Sequence, residues 1–81
     1  ALEYGRKNIR INAVCPGYTQ SALLDQLLSV SPGMGDKLKR FIPMGRFGEA
    51  NEIAEAICWL ASENSKFITG QTITLDGGTS L

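Results

Sequence analysis

The order of apolar and polar residues predicts two strands separated by helices. Residues 9–15 (IRINAVC) are rich in β-branched side chains and run into a Pro-Gly dipeptide, which predicts a strand that ends in a turn. Residues 71–75 (QTITL) alternate polar and apolar side chains, as a second strand would. Between them, the leucines of residues 21–30 and the apolar face of residues 50–62 recur at helical spacing, and residues 36–41 predict a short helix.

This order of elements predicts an α/β architecture. Two strands joined by a long helical segment indicate one right-handed parallel crossover. A parallel sheet is buried on both faces, so two strands alone make a poor domain. Because the chain has 81 residues and opens on Ala rather than Met, we expect it to be the end of a larger α/β domain whose other strands are not in this sequence.

Composition excludes several classes of function. Eight basic and eight acidic residues leave no net charge, which argues against a nucleic-acid-binding protein. No run of 18 apolar residues occurs, so no membrane-spanning helix is expected. The chain has no histidine, which removes histidine-ligated metals, a Ser-His-Asp triad and a histidine base. Cys15 and Cys58 form no CxxC pair, and we interpret both as reduced thiols of a cytoplasmic protein, most simply buried as small apolar residues.

The candidate binding residues follow the first predicted strand. In an open α/β sheet, ligands bind beyond the carboxyl ends of the strands, where Pro16 and Gly17 would lie. Gly17 would let a flat ligand approach the main chain, and Thr19 and Ser21 offer short hydroxyl groups. The alternative is that the Pro-Gly dipeptide simply ends a strand and that Ser21 caps the following helix.

Several stretches resemble the C-terminal part of a short-chain dehydrogenase/reductase. They are residues 2–5 (LEYG), 8–17 (NIRINAVCPG), 43–54 (PMGRFGEANEIA) and 67–78 (FITGQTITLDGG). Their order and spacing match the family across nearly the whole chain except residues 22–42. The resemblance implies that residues 1–81 are the C-terminal portion of a single NAD(P)-binding domain, a Rossmann-type doubly wound parallel sheet. The chain would supply the last two strands, the connecting lid and the last helix.

The resemblance also implies an activity and its partners. Members of the family interconvert an alcohol and a carbonyl by hydride transfer with NAD or NADP, act on small molecules, and commonly form homodimers or homotetramers. Residues 22–45 would be the substrate lid, although their apolar side chains could equally pack on one another and on the core. Arg46 is expected in an ion pair more than in substrate contact.

Specific positions acquire expected roles through the same resemblance. The loop after Pro16 and Gly17 would support the nicotinamide, with the main chain of Thr19 at the carboxamide and the hydroxyl of Ser21 near the carboxamide or pyrophosphate. The family's catalytic Tyr-x-x-x-Lys is not found in this chain, because Asn8 and Ala22 stand four places after its two tyrosines. The glycine-rich phosphate loop is also missing, so no catalytic residue is assigned and the chain alone is expected to be inactive.

One alternative belongs to a different functional class. The chain could be a non-catalytic folding or assembly module held together by self-association. The helix predicted over residues 50–62 is apolar on two sides, with Ile53, Ile57 and Leu60 on one and Trp59 on another. In the family this helix and the final strand form a two-fold interface between subunits.

Overall fold

Two short parallel strands hold the two ends of the chain together. The computed structural model describes residues 1–80. Its elements in chain order are a 3-10 turn (Gly5–Lys7), β1 (Ala13–Pro16), α1 (Ala22–Ser29), α2 (Met34–Lys39), α3 (Ala50–Ala61), a second 3-10 turn (Glu63–Ser65) and β2 (Thr72–Leu75). β1 pairs with β2 in parallel, from Ala13 opposite Thr72 to Pro16 opposite Leu75. The predicted α/β order with a parallel crossover is confirmed.

The first strand is shorter than the sequence predicts. It begins at Ala13 instead of residue 9, because side chains take the hydrogen bonds before that point. The amide of Asn12 donates to the carbonyl oxygen of Ile68 (3.1 Å), and its Oδ1 accepts from the N–H of Gln71 (3.0 Å). The regular ladder starts only where the N–H of Ala13 donates to the carbonyl of Gln71 (2.9 Å).

Arg10 ties the start of the sheet to the end of α3. Its guanidinium donates to the carbonyl oxygens of Leu60 (2.7 Å) and Ser62 (3.2 Å) through Nη2, and to that of Ile68 (3.1 Å) through Nη1. The last carbonyls of a helix have no partner within the helix and carry partial negative charge. A half-buried arginine therefore closes the C-terminal end of α3.

The apolar core is small and is formed mostly by residues 22–45 themselves. Leu24, Ile42 and Phe47 are buried together, with Leu28 and Leu38 packed against them. The hypothesis that the apolar residues of segment 22–45 pack on one another is therefore correct for this group. Other apolar side chains of the segment remain exposed, namely Leu23, Leu27, Val30, Phe41 and Met44.

Several side chains that the sequence places in a core are open to solvent. Ile57 is 50% exposed, and Cys15 and Cys58 are both exposed free thiols, so their interpretation as buried residues is wrong for this chain. Phe67 is fully exposed. The Cα radius of gyration is 15.9 Å, against about 12 Å expected for an isolated domain of this length. The chain therefore leaves surface that a complete α/β domain would cover.

Candidate functional site

Gly17 lies where the carboxyl end of β1 meets the turn after β2. Its N–H donates to the carbonyl of Leu75 (2.9 Å). A Cβ atom at this position would lie 2.7 Å from Cβ and 2.9 Å from Cα of Asp76. Both distances are shorter than real Cβ atoms show, so contact with Asp76 is enough to require glycine here. The sequence-based reason, the approach of a flat ligand, is not needed to explain this residue.

Thr19 holds an isolated parallel bridge to Gly48, which precedes α3 by two residues. The N–H of Gly48 donates to the carbonyl of Tyr18 (2.9 Å), and the N–H of Gln20 donates to the carbonyl of Gly48 (2.8 Å). The two hydrogen bonds use the residues on either side of Thr19. In such a parallel bridge the N–H and C=O of Thr19 itself therefore point away from Gly48. Within residues 1–80 no hydrogen bond uses the main-chain N–H or C=O of Thr19. Its hydroxyl donates to the carbonyl of Gly17 (3.1 Å), which stiffens the loop.

Ser21 caps α1, as the alternative interpretation of the sequence holds. Its Oγ accepts a hydrogen bond from the N–H of Leu24 (3.1 Å), and its backbone is extended, as an N-cap residue requires. The same hydroxyl can still donate its proton, because a hydroxyl group both donates and accepts. The side chain is exposed, so that donation is open to a ligand.

The four candidate residues lie on two different surfaces. Pro16 and Gly17 line a surface cavity of about 440 Å³ together with Asp76. Thr19 and Ser21 continue from that strand end toward α1 and do not line the cavity. The structure thus places all four along one segment, with two at the sheet end and two just before α1.

Asp76 is a residue that the sequence analysis did not single out. Its carboxylate accepts hydrogen bonds from the N–H groups of Gly78 and Ser80, both at 3.0 Å. Hydrogen bonds from the Ser80 side chain and from the main-chain N–H groups of Gly78 and Ser80 lower the pKa of Asp76 below its usual value. The Asp-Gly-Gly sequence directly after a strand is the signal that could have identified this ordered turn.

Arg46 forms an ion pair, as the sequence analysis expects. Its two terminal nitrogens contact the two carboxylate oxygens of Glu52 at 2.7 and 2.9 Å. Glu52 also accepts from the N–H of Glu49 at the start of α3 (2.9 Å). The hydrogen bonds from Arg46, and after them the one from the Glu49 N–H, lower the pKa of Glu52 to about 2. The hydrogen bonds to Glu52 and its negative charge raise the pKa of Arg46. The pair joins the loop before α3 to the first turn of that helix.

The described residues offer positioning groups rather than reactive ones. Across residues 1–80 no group of three or more side chains could hold a metal ion. No helix in this part of the chain is both long and apolar enough to cross a bilayer. The main-chain groups of Thr19 are nonetheless chemically suited to a carboxamide, which needs one acceptor and one donor. The segment therefore presents one main-chain donor and one main-chain acceptor that bond to nothing else within residues 1–80.

Comparison with known proteins identifies the family. The family described as Enoyl-(Acyl carrier protein) reductase matches residues 1–80. The A-factor type gamma-butyrolactone 1'-reductase (1S-forming) of Streptomyces virginiae is 44% identical over 78 residues, which cover 96% of this chain and 30% of that protein. Glucose 1-dehydrogenase of Gluconobacter oxydans is 44% identical over 81 residues, 100% of this chain and 30% of that protein. The chain spans about 30% of the length of these curated relatives.

Solved structures agree with the sequence relatives. An oxidoreductase of the short-chain dehydrogenase/reductase family from Burkholderia thailandensis superposes with a TM-score of 0.91 at 32% identity, over 99% of this chain and 32% of that one. A 4-hydroxyisoleucine dehydrogenase complexed with NADH gives a TM-score of 0.90 at 30% identity, over 99% and 32% of the two chains. The two parallel strands are thus part of a Rossmann-type sheet, and the chain belongs to the short-chain dehydrogenase/reductase family.

Proposed function

We propose that this chain is the C-terminal portion of an NAD(P)-dependent oxidoreductase that interconverts an alcohol and a carbonyl in a small-molecule substrate. The observation that carries the proposal is the bridge between Thr19 and Gly48, which leaves the Thr19 N–H and C=O directed away from the bridge without partners in residues 1–80. Relatives of known activity are dehydrogenases and reductases, and the match covers about 30% of their length. The remaining strands of the sheet would cover the exposed apolar surface.

The four candidate residues would position the nicotinamide end of the cofactor. The Thr19 N–H and C=O would bind the carboxamide, and the Ser21 hydroxyl would donate to the carboxamide or pyrophosphate while it caps α1. Pro16 and Gly17 would hold this loop against the turn at Asp76. The bound nicotinamide supplies or accepts the hydride. Residues 22–45 would cover the substrate and exclude water around the reacting atoms.

Proton transfer would come from residues outside this chain. Within residues 1–80 neither tyrosine is followed four places later by lysine, and the chain has no histidine. We therefore propose that the isolated chain is inactive and that the full-length protein carries the reaction. One relative is named NADPH dependent and another is complexed with NADH, so both cofactors belong in the test. Two free cysteines fit a reducing compartment, and we place the protein in the cytoplasm.

The decisive experiment alters the main chain at Thr19. In the full-length protein, Thr19→Pro removes the free N–H, whereas Thr19→Val keeps it and removes only the hydroxyl. The dissociation constants of NADH and NADPH, measured by fluorescence titration, should rise about two- to twelve-fold for Thr19→Pro, the value of one hydrogen bond. Thr19→Val should bind within about two-fold of wild type by the same scale.

Two results would contradict this proposal. One is a wild-type protein that binds neither NADH nor NADPH. The other is a folded Thr19→Pro protein, with an unchanged circular dichroism spectrum, that binds both as tightly as wild type. Relatives of the chain include glucose 1-dehydrogenase of Gluconobacter oxydans and a 3-oxoacyl-[acyl-carrier-protein] reductase of Thermotoga maritima. Turnover by the purified 81-residue chain, assayed with glucose and NAD(P)⁺ or with a 3-oxoacyl thioester and NAD(P)H, would refute its proposed inactivity.

We also propose that α3 and β2 contribute to a two-fold contact in a homodimer or homotetramer. Trp59 is 47% exposed and Ile57 50% exposed on the same helix, so α3 keeps apolar surface that the described residues do not cover. One edge of β2 pairs with β1, and its other edge has no strand partner within residues 1–80. Self-association without catalysis, the alternative from the sequence, would give the same oligomer but no cofactor binding.

A further inference from the structure

The lid segment, residues 22–45, is attached to the sheet at both of its ends. At its beginning, α1 starts from the Ser21 cap directly after the Thr19 bridge. At its far end, the main chain meets the turn that follows β2. There the N–H of Met44 donates to the carbonyl of Gly77 (3.1 Å). The turn and the lid are therefore in direct main-chain contact.

Gly77 makes this second attachment unusually close. A Cβ atom there would lie 2.8 Å from Cγ2 of Ile42 and 3.5 Å from Cβ of Met44. The first distance is below what real Cβ atoms show, so the lid rests against a position that has no room for a side chain. Gly77 also has a φ of +63°, which favours glycine independently of the contact.

Ile42 connects the turn at Gly77 to the buried apolar side chains of the lid. It is only 4% exposed, and it is buried with Leu24 of α1 and with Phe47. Close-packed side chains transmit displacements, because a well-packed group leaves little free volume. A shift of Ile42 therefore moves α1 as well as the loop around residue 42.

The turn on the other side of the contact is held in place. The Asp76 carboxylate accepts from the N–H groups of Gly78 and Ser80, and the Asp76 Cα and Cβ face Gly17 at close range. The N–H of Gly17 is bonded to Leu75. If a side chain at position 77 crowds Ile42, the lid therefore shifts more readily than the turn, because the turn is held by these hydrogen bonds.

We propose that Gly77 is a positioning residue of the substrate pocket, since its lack of a side chain seats Ile42 on the turn and so sets the position of the lid over the nicotinamide. This inference rests on the proposed function. Gly77 touches neither substrate nor cofactor in this account and acts through Ile42. Substitution there should weaken the handling of substrate more than the binding of cofactor.

The test compares Gly77→Ala with Gly45→Ala in the full-length protein. Gly45 has a similar φ of +72°, but a Cβ there meets nothing within 4 Å, so it controls for backbone strain. Gly77→Ala should raise KM about ten-fold for whichever of glucose or a 3-oxoacyl thioester wild type turns over, as expected for overpacking of a tight contact. The dissociation constant of NADH or NADPH should stay within about two-fold in both variants. Gly45→Ala lies in the same segment but crowds no neighbour, so it should raise KM less than Gly77→Ala does.

Hydrogen exchange supplies a readout that needs no substrate. Amides of residues 22–42 should exchange faster in Gly77→Ala than in Gly45→Ala, because Ile42 is displaced from Leu24 and Phe47. Ile42→Leu removes the Cγ2 methyl but keeps the side-chain volume, so the double variant with Gly77→Ala should recover most of the KM and of the exchange protection.

Equal behaviour of Gly77→Ala and Gly45→Ala, or a double variant no better than Gly77→Ala, would overturn the inference. A loss of cofactor affinity that matches the rise in KM would also overturn it, since Gly77 would then act on the whole site. A wild-type protein that binds neither cofactor would overturn the proposed function instead. The exchange comparison would still decide whether Gly77 holds the lid.

Discussion

Removing the guanidinium of Arg10 should destabilise the protein through the C-terminal end of α3. Arg10 donates to three main-chain carbonyls, of Leu60, Ser62 and Ile68, at 2.7 to 3.2 Å. These carbonyls come from the end of a helix and from the segment that leads into β2. Arg10→Ala would therefore loosen α3 from the sheet without touching any residue of the candidate site.

The size of the effect follows from what remains after the substitution. The Leu60 carbonyl also accepts from the Ser65 hydroxyl (2.8 Å), and the Ile68 carbonyl from the Asn12 amide (3.1 Å). The variant therefore loses charged hydrogen bonds but leaves these two oxygens with partners. One charged hydrogen bond contributes about 1.5–3 kcal/mol, and three from one half-buried group do not add fully. We expect a loss of about 2–3 kcal/mol on this basis.

Thermal unfolding of the full-length protein measures this loss. A change of 2–3 kcal/mol corresponds to a Tm lower by about 4–12 °C in a domain of 150–250 residues. Arg10→Lys should recover only part of the lost stability, because a single ammonium group cannot reach separated carbonyls at the same time. Arg6→Ala is the control, since Arg6 is exposed and lies in the 3-10 turn Gly5–Lys7, away from the carbonyls that Arg10 contacts. Equal Tm values for Arg10→Ala and Arg6→Ala would refute the reasoning.

Three further predictions test other parts of the structure. Gly17→Ala should lower the free energy of unfolding in urea by about 1–3 kcal/mol, because its Cβ would overlap Asp76. The control Gly48→Ala, whose Cβ would make only ordinary contacts, should leave that free energy nearly unchanged. Similar urea midpoints for the two variants would contradict the close approach of Gly17 to Asp76. The pKa of Glu52 is lowered from 4.5 to about 2, so its stabilising effect is present above about pH 5 and is lost as pH falls toward 2. The Tm difference between wild type and Glu52→Gln should shrink over that range, and a difference independent of pH would count against the ion pair. Trp59→Glu should shift the full-length protein toward monomer in sedimentation, and an unchanged oligomer would exclude Trp59 from the interface.

The structure matches the sequence predictions closely at elements with clear periodicity. The leucine spacing of residues 21–30 predicts α1, observed at Ala22–Ser29, and the alternation of residues 71–75 predicts β2, observed at Thr72–Leu75. The sequence offers Ser21 as a helix cap, and the structure shows it capping α1. Local propensity and capping act within a few residues, so the sequence carries them directly.

The wrong predictions share one cause, which is that the partner of a residue lies far away in sequence. β-branched residues predict a strand from residue 9, but the Arg10 and Asn12 side chains, bonded to residues 60–71, delay the ladder until Ala13. The predicted burial of Cys15, Cys58 and Ile57 assumed covering surfaces that residues 1–80 do not supply.

The sequence alone determined the family, the order of the elements and the segment that carries the candidate residues, because motif spacing and hydrophobic period are properties of the chain itself. Only the tertiary structure decided why Gly17 and Gly77 are glycines, one against Asp76 and the other against Ile42. It alone directed the main chain of Thr19 away from Gly48. Such contacts join segments that the crossover brings together, and steric exclusion between distant residues leaves no periodic trace in the sequence.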